Sequence, residues 1–135
     1  AALTLMSKIE TRTAFIWLYE TNVIWTDHKN DVEIDEKDMY ENLQASLGLT
    51  NGHSHVVVLD TRDRNVSITH EAMRYGASAE MAKYRMATAL ITNSISERLF
   101  GNFFMKFFKP KLQNRIFGDA NEALAWLRTF IVEKR

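Results

Sequence analysis

The sequence predicts a mixed α/β domain: a mostly parallel sheet with a hairpin at its N-terminal side and helices packed over it. Three observations carry this expectation. Val56-Val57-Val58-Leu59 is an unbroken apolar run ending in Asp60, the pattern of a strand buried on both faces, as parallel strands are. Ala87 to Thr92 reads as a second buried strand. Segments with helical spacing and capping residues stand between and after them, and strands that alternate with helices build parallel sheets through right-handed crossovers.

Element by element, Thr13 to Tyr19 and Val23 to Thr26 are aromatic or β-branched, with Glu20-Thr21-Asn22 as a tight connection between them; this is the hairpin. Val32 to Ile34 adds a short strand. Asp35, with Asp38 three residues on, has the spacing of an N-cap and its reciprocal partner. The helix that follows places Met39, Tyr40, Leu43 and Leu47 at helical intervals and is expected to stop at Gly48. The Val56 run should be central. A charged loop from Asp60 to Asn65 leads to Thr69, the cap of a short helix through Tyr75, and Ser78 caps another before Tyr84. After the Ala87 strand, Ser94-Ile95-Ser96-Glu97 has capping-box spacing and opens a long helix. It must end near Lys109, because Pro110 disfavours helix in the residue before it. Asn114 to Phe117 is the last strand, and Asp119 with Glu122 caps a final helix whose Ala120, Ala123, Leu124, Leu127, Phe130 and Ile131 share a face.

The helix after Ser94 is the most lopsided segment. Five of the 8 phenylalanines, Phe100, Phe103, Phe104, Phe107 and Phe108, fall within nine residues, interleaved with Lys106 and flanked by Arg98, Lys109 and Lys111. Together with Leu99 they cover roughly half of a helix circumference, whereas a core-facing stripe needs an arc of about 100°. The surplus apolar surface must meet something. One account packs the helix on the sheet along one side and against the C-terminal helix, near Trp126, along the other. A second leaves an apolar interface for another copy of the chain. A third sets the rings into a membrane surface with Lys106, Lys109 and Lys111 at the headgroups.

Bulk properties bound the rest. At 135 residues the chain suffices for one domain with a real core, expected over residues 8–135 behind a short leader over residues 1–7. Hydrophobic residues at 46% and charged residues at 25% are those of a globular protein. With 17 basic and 17 acidic side chains the formal charge is zero, which removes the global argument for nucleic acid. Charge is uneven locally: Asp27 to Glu41 holds seven acids and two bases, Glu97 to Arg115 five bases and one acid. There is no cysteine, so disulfides, thiolate ligands and a thiol nucleophile are excluded. No apolar run approaches the ~18 residues of a membrane span, and a cytoplasmic protein is expected.

The succession of elements, with Lys8-Ile9-Glu10-Thr11-Arg12-Thr13-Ala14 at the start, Val57-Val58-Leu59-Asp60 before a loop and helix, and Gly101-Asn102-Phe103-Phe104 ahead of Lys109-Pro110-Lys111, resembles the STAS domains of anti-sigma factor antagonists and the SpoIIAA-like, STAS/SEC14-annotated small bacterial proteins. The likeness runs from about Lys8 to the end. In the antagonists a serine opening the helix after the central strand is phosphorylated by a partner kinase. The resemblance implies Thr69, with Ser67 nearby, at that place, although the usual Asp-Ser-Ser-Gly run is absent here. SEC14-type relatives bind lipid but are larger and carry a lid.

Ligands of open α/β sheets gather beyond the carboxyl ends of parallel strands. Two loops answer to that rule. After the central strand come Asp60, Thr61, Arg62, Ser67, Thr69 and His70, and after the next strand Asn93, Ser94 and Ser96. Each loop delivers a helix N-terminus able to receive a phosphate or carboxylate, with Arg62 as a charged contact. The plainer account is that Thr69 and Ser94 only cap their helices and Arg62 is solvated. His53 and His55 alternate along the start of the central strand and point the same way, but His70 lies past its other end, roughly 16 Å off, so no metal is expected. Asp31, Glu33 and Asp35 open like a calcium loop and then fail it at Glu36 and Asn42. Asp60 with His70 could in principle form an acid and base pair, but spacing alone does not bring them within hydrogen-bond reach, and no phosphate loop, nucleophile elbow or zinc-protease helix occurs.

The expectation is therefore a non-enzymatic regulatory or protein-interaction domain without cofactor, its partner-facing edge at Thr69 and Ser94. The partner would be another protein or a second copy. The alternative is apolar-ligand, lipid or anionic membrane-surface binding through Leu99, Phe100, Phe103, Phe104, Phe107 and Phe108.

Overall fold

In the computed structural model, which describes residues 8–133, the N-terminal hairpin forms where expected. The leader over residues 1–7 lies outside the described residues. Strands β1 (Ile9–Glu10), β2 (Ala14–Glu20) and β3 (Val23–His28) run antiparallel, and Asn22 turns the chain between β2 and β3 with φ 63°. Such a left-handed backbone is tolerated by asparagine better than by most residues.

The third strand, β4 (Val32–Ile34), does not join this sheet. It pairs in parallel with β6 (Val66–Ile68) as a separate two-stranded sheet. The residues Val66 to Ile68 are thus not loop, as their three-residue length suggests, but a strand made by its partner. Helix α1 (Glu36–Leu49) opens on a complete capping box: the Asp35 carboxylate accepts from the Asp38 N–H at 2.8 Å, and the Asp38 carboxylate accepts from the Asp35 N–H at 2.9 Å. Its end is a correction, because the helix passes Gly48. The Thr50 hydroxyl and N–H both donate to the Ser46 carbonyl, at 2.9 and 3.0 Å, and this cap substitutes for glycine.

The Val56 run lies in β5 (His55–Asp60), which is central as predicted. The main sheet has the order β1-β2-β3-β5-β7-β8, with β7 (Arg85–Ile91) and β8 (Gln113–Phe117), and every pairing beyond β3 is parallel. Between β6 and β7 stand α2 (His70–Gly76) and α3 (Ala79–Tyr84), capped by Thr69 and Ser78. Helix α4 (Ile95–Phe108) is the phenylalanine-rich one, and Lys109 stops it in the left-handed region, φ 46°, next to Pro110. Helix α5 (Ala120–Glu133) begins at Asp119, whose carboxylate accepts from the Glu122 N–H at 3.0 Å.

The two sheet faces are covered differently. On one, Val23, Trp25, Val56, Val58, Ala89 and Ile91 pack against Ala123, Leu124 and Leu127 of α5. Trp126 rests on Phe117 and Phe130, with ring centroids 5.7 and 4.9 Å away, so it does not meet α4 as one sequence account supposed. On the other face Ala14, Ile16, Ile24 and Val57 pack under Ala45 and Leu49 of α1, while α4 buries none of its own residues.

Candidate functional site: a chamber under the phenylalanine-rich helix

The incomplete cover on the second face leaves a cavity of about 450 Å³. Its floor is the sheet, through Thr26, Leu59, Thr88, Leu90 and Ile116. Met39 and Asn42 of α1, Met73 of α2 and the β4–β6 pair form the walls, and Phe100, Gly101, Phe104 and Met105 of α4 form the roof. Gly101 sets the height of that roof. A Cβ there would lie 2.7 Å from Ile116 Cδ1 and 3.6 Å from Leu90 Cδ2, so any larger residue would have to displace the end of the Ile116 side chain to keep the helix this close to the floor.

The apolar half-circumference of α4 divides into two rows. Phe100 and Phe104 face the chamber, and Phe108 stacks on Phe104 and meets His70 edge-on, with centroids 5.8 and 5.2 Å apart. Ile95, Leu99, Phe103 and Phe107 face away, 79%, 66%, 44% and 63% exposed. Neither row is buried, and the chamber is lined by Phe100 and Phe104 rather than by Leu99, Phe103 and Phe107.

Three polar groups stand out among those of the lining, which also include Ser67, Ser96, Glu97, Asn114 and Arg115. Arg85 lines the chamber because β7 carries an extra residue: His55 pairs with Arg85 but Val56 with Ala87. This bulge sends Met86 to the α5 side and leaves Arg85 on the chamber side with Thr88 and Leu90. Arg85 is 6% exposed, its Nε has no hydrogen-bond partner, and burial pushes its pKa down to about 10. Asn42, also on the lining, donates to Thr13 Oγ1 at 3.3 Å and leaves its buried Oδ1 unpartnered. His28 donates through Nδ1 to the Asp60 carbonyl, 3.3 Å away, and its burial lowers the ring's pKa to about 4. Neither Arg85, Asn42 nor His28 was singled out by sequence reading. An arginine opening an apolar strand reads as a solvated end residue, and nothing in the spacing reports the bulge.

The sequence-predicted site residues fall into two groups by the partners they take, and Ser96 and Ser67, one from each, both line the chamber. In the first, Arg62 grips Asp60 with Nε–Oδ1 and Nη2–Oδ2 distances of 3.0 and 2.9 Å. Burial alone would raise the Asp60 carboxyl, yet the Arg62 hydrogen bonds hold it below its usual value. Asn93 donates to the Asp63 carboxylate at 2.7 Å and accepts from the Asp63 N–H at 3.1 Å. Ser94 caps α4 by accepting from the Glu97 N–H at 3.2 Å, with Ser96 Oγ 3.1 Å away. The expected capping box is only half formed. The Glu97 carboxylate accepts instead from the Thr61 and Thr92 hydroxyls, and Ser94 N–H donates to Thr92 Oγ1 at 3.1 Å. In the second group Ser67 is an exposed residue of β6, Thr69 caps α2 by accepting from the Ala72 N–H at 3.1 Å, and His70 lies against Phe108. Thr69 therefore follows β6, its N–H donating to the Ile34 carbonyl at 2.9 Å, rather than the loop directly after the central strand. Asp60 and His70 are not hydrogen-bonded to each other; each is engaged elsewhere.

His53 is exposed before β5 begins, and His55 is buried, so the two do not form the paired strand positions read from their alternation. Among the described residues no group of three His, Asp or Glu side chains is placed to hold a metal ion. None of the described helices is long and apolar enough to cross a membrane.

A central parallel strand, an antiparallel N-terminal hairpin and helices on both faces make an α/β domain with a SpoIIAA-like fold. Within that class the chain belongs to the family described as Domain of unknown function (DUF7793), whose model matches residues 16–131. Among solved structures it is similar to an uncharacterised protein of the DUF3478 family with a SpoIIAA-like fold from Shewanella loihica PV-4, at 14% identity over 90% of each chain and a TM-score of 0.52. That likeness is one of fold. No curated protein matches the sequence.

Proposed function

We propose that this domain is a non-catalytic binding module that takes a small apolar molecule into the chamber between the sheet and α4. One observation carries the reading: a cavity of about 450 Å³ whose surface is mostly apolar, under a helix that buries none of its own residues. Small-molecule sites commonly span ~300–1,000 Å³ and are lined by apolar groups with a few placed polar ones. The acidic groups nearby support binding over chemistry, since Asp60 is held by Arg62 and Glu97 by two threonine hydroxyls.

Titration with the neutral fluorophore N-phenyl-1-naphthylamine tests this. The expected result is saturable enhancement at one site per chain, lost in Leu90→Trp, which fills the chamber, and kept in Leu99→Ser, which alters only the outer row. No enhancement, or enhancement that survives Leu90→Trp and disappears with Leu99→Ser, would overturn the reading.

A second reading rests on that outer row. Ile95, Leu99, Phe103 and Phe107 form an exposed apolar strip of the kind that marks interfaces, and it suits the protein-interaction role, with a second copy as the simplest partner. Sedimentation equilibrium should then show dimers that Leu99→Ser with Phe107→Ser converts to monomers. A monomer throughout that instead co-sediments with anionic vesicles would replace this reading by membrane-surface binding.

A further inference from the structure

We infer that the molecule held in the chamber carries a carboxylate, and that Arg85 is the residue that receives it. The inference rests on the apolar-ligand reading and adds the chemistry of the ligand's polar end. Arg85 is the one lysine or arginine among the described residues that is buried. The other arginines nearest the loops are satisfied: Arg62 by Asp60 and Arg64 by Asp27, at 2.9 and 3.0 Å. Among the described residues no carboxylate forms an ion pair with Arg85, and its Nε–H is without an acceptor.

A buried, unpaired guanidinium is among the costliest arrangements a core can hold. Its position gives it a use. The β7 bulge is the feature that turns Arg85 onto the chamber lining; without the extra residue it would share the α5 side with Ala87 and Ala89. Its charge is felt by His28 and by His55, whose protonation it opposes. With its pKa near 10 it remains a cation at neutral pH.

The guanidinium offers a planar fork of donors that matches a carboxylate's two oxygens. A phosphate monoester would bring close to two negative charges at pH 7 to a lining with a single buried cation. The lining also holds His28, Asn42, an exposed Arg115 and Glu97, whose carboxylate is taken up by the Thr61 and Thr92 hydroxyls, while Leu59, Leu90, Met73 and Phe104 suit a hydrocarbon or aromatic body. The geometry points to an amphipathic monocarboxylic acid.

Calorimetric titration of the full chain with decanoate, decan-1-ol and decyl phosphate separates the possibilities. The expected order places decanoate at least tenfold tighter than the alcohol and tighter than the phosphate, with Arg85→Met binding acid and alcohol equally. With 13C-carboxyl decanoate, the bound carboxyl should titrate below the free acid, a shift that Arg85→Met removes. If acid and alcohol bind the native chain equally, the Arg85 assignment fails while the chamber reading stands. If the phosphate binds tightest, the carboxylate assignment fails. If none binds, both fail. Should Arg85→Met not fold, the three ligands on the native chain and the carboxyl titration still decide.

Discussion

Arg85 has a measurable consequence even without ligand. Because its charge is buried and unpaired, Arg85→Met should stabilise the unliganded protein by at least about 1 kcal/mol, read from the urea midpoint. A loss of stability would mean that the guanidinium already has a partner in the native state. His28 and His55 give a second, independent readout. Burial lowers both rings from 6.5 to about 4; His28 lies beside the Asp60 carbonyl with Arg64 and Arg85 opposing its protonation, and His55 donates to the His53 carbonyl with Arg85 acting the same way. In this window the unfolded chain takes up protons first. Stability is therefore full above pH 6.5 and falls as pH drops toward 4, by up to about 3 kcal/mol per histidine. Urea unfolding at pH 7, 6 and 5 checks the slope, and a flat profile would contradict the burial. Residue identities such as Asp35, Ser94 and Asn22 were readable as caps and turns because their chemistry is local. Arg85 was not, since its orientation depends on an irregular pairing of its strand with the neighbouring β5, which nothing in its own segment signals.

At the scale of elements, α4 shows where periodicity stops being informative. Its start at Ser94 and its end before Pro110 follow from local rules, but the two rows, Phe100-Phe104-Phe108 and Leu99-Phe103-Phe107, are equally apolar. Pattern alone cannot choose which one meets the sheet. Gly101 makes the choice, because the helix approaches Ile116 and Leu90 closely only on that side. Gly101→Ala should thus push the Ile116 side chain into the chamber. Its stability is expected within about 1 kcal/mol of the native protein, the helix-propensity gain offsetting the crowding, while N-phenyl-1-naphthylamine binding weakens. The β4–β6 pair was half legible: Val32 to Ile34 reads as a strand, but β6 exists only because β4 lies beside it. Glu97 departs from the reciprocal cap that its spacing suggests because two hydroxyls, Thr61 and Thr92, reach it from adjacent strand ends. Glu97→Ala strips both of that acceptor, and a loss of about 1–3 kcal/mol is expected in urea unfolding.

For the whole molecule, the alternation of strands and helices was enough to place β5 at the centre and the hairpin at one side. The chamber was beyond reach, since it is a deficit of atoms between elements that are each ordinary in sequence. The result is an asymmetric pair of faces. Under α5 the sheet is closed by Ala123, Leu124 and Leu127, all nearly inaccessible to water; above the chamber, α4 is held by its capped start, the Gly101 approach and a few ring contacts. Cooperative units of unequal strength open separately. Amide hydrogens of α4 should accordingly exchange with deuterium long before those of β5 and β7, at a rate that is slowed by whatever occupies the space below. The space below is already partly open to solvent, and partial melting of one weakly anchored helix would widen that entrance without a dedicated gate, while the tenacity of the opposite half keeps the protein folded.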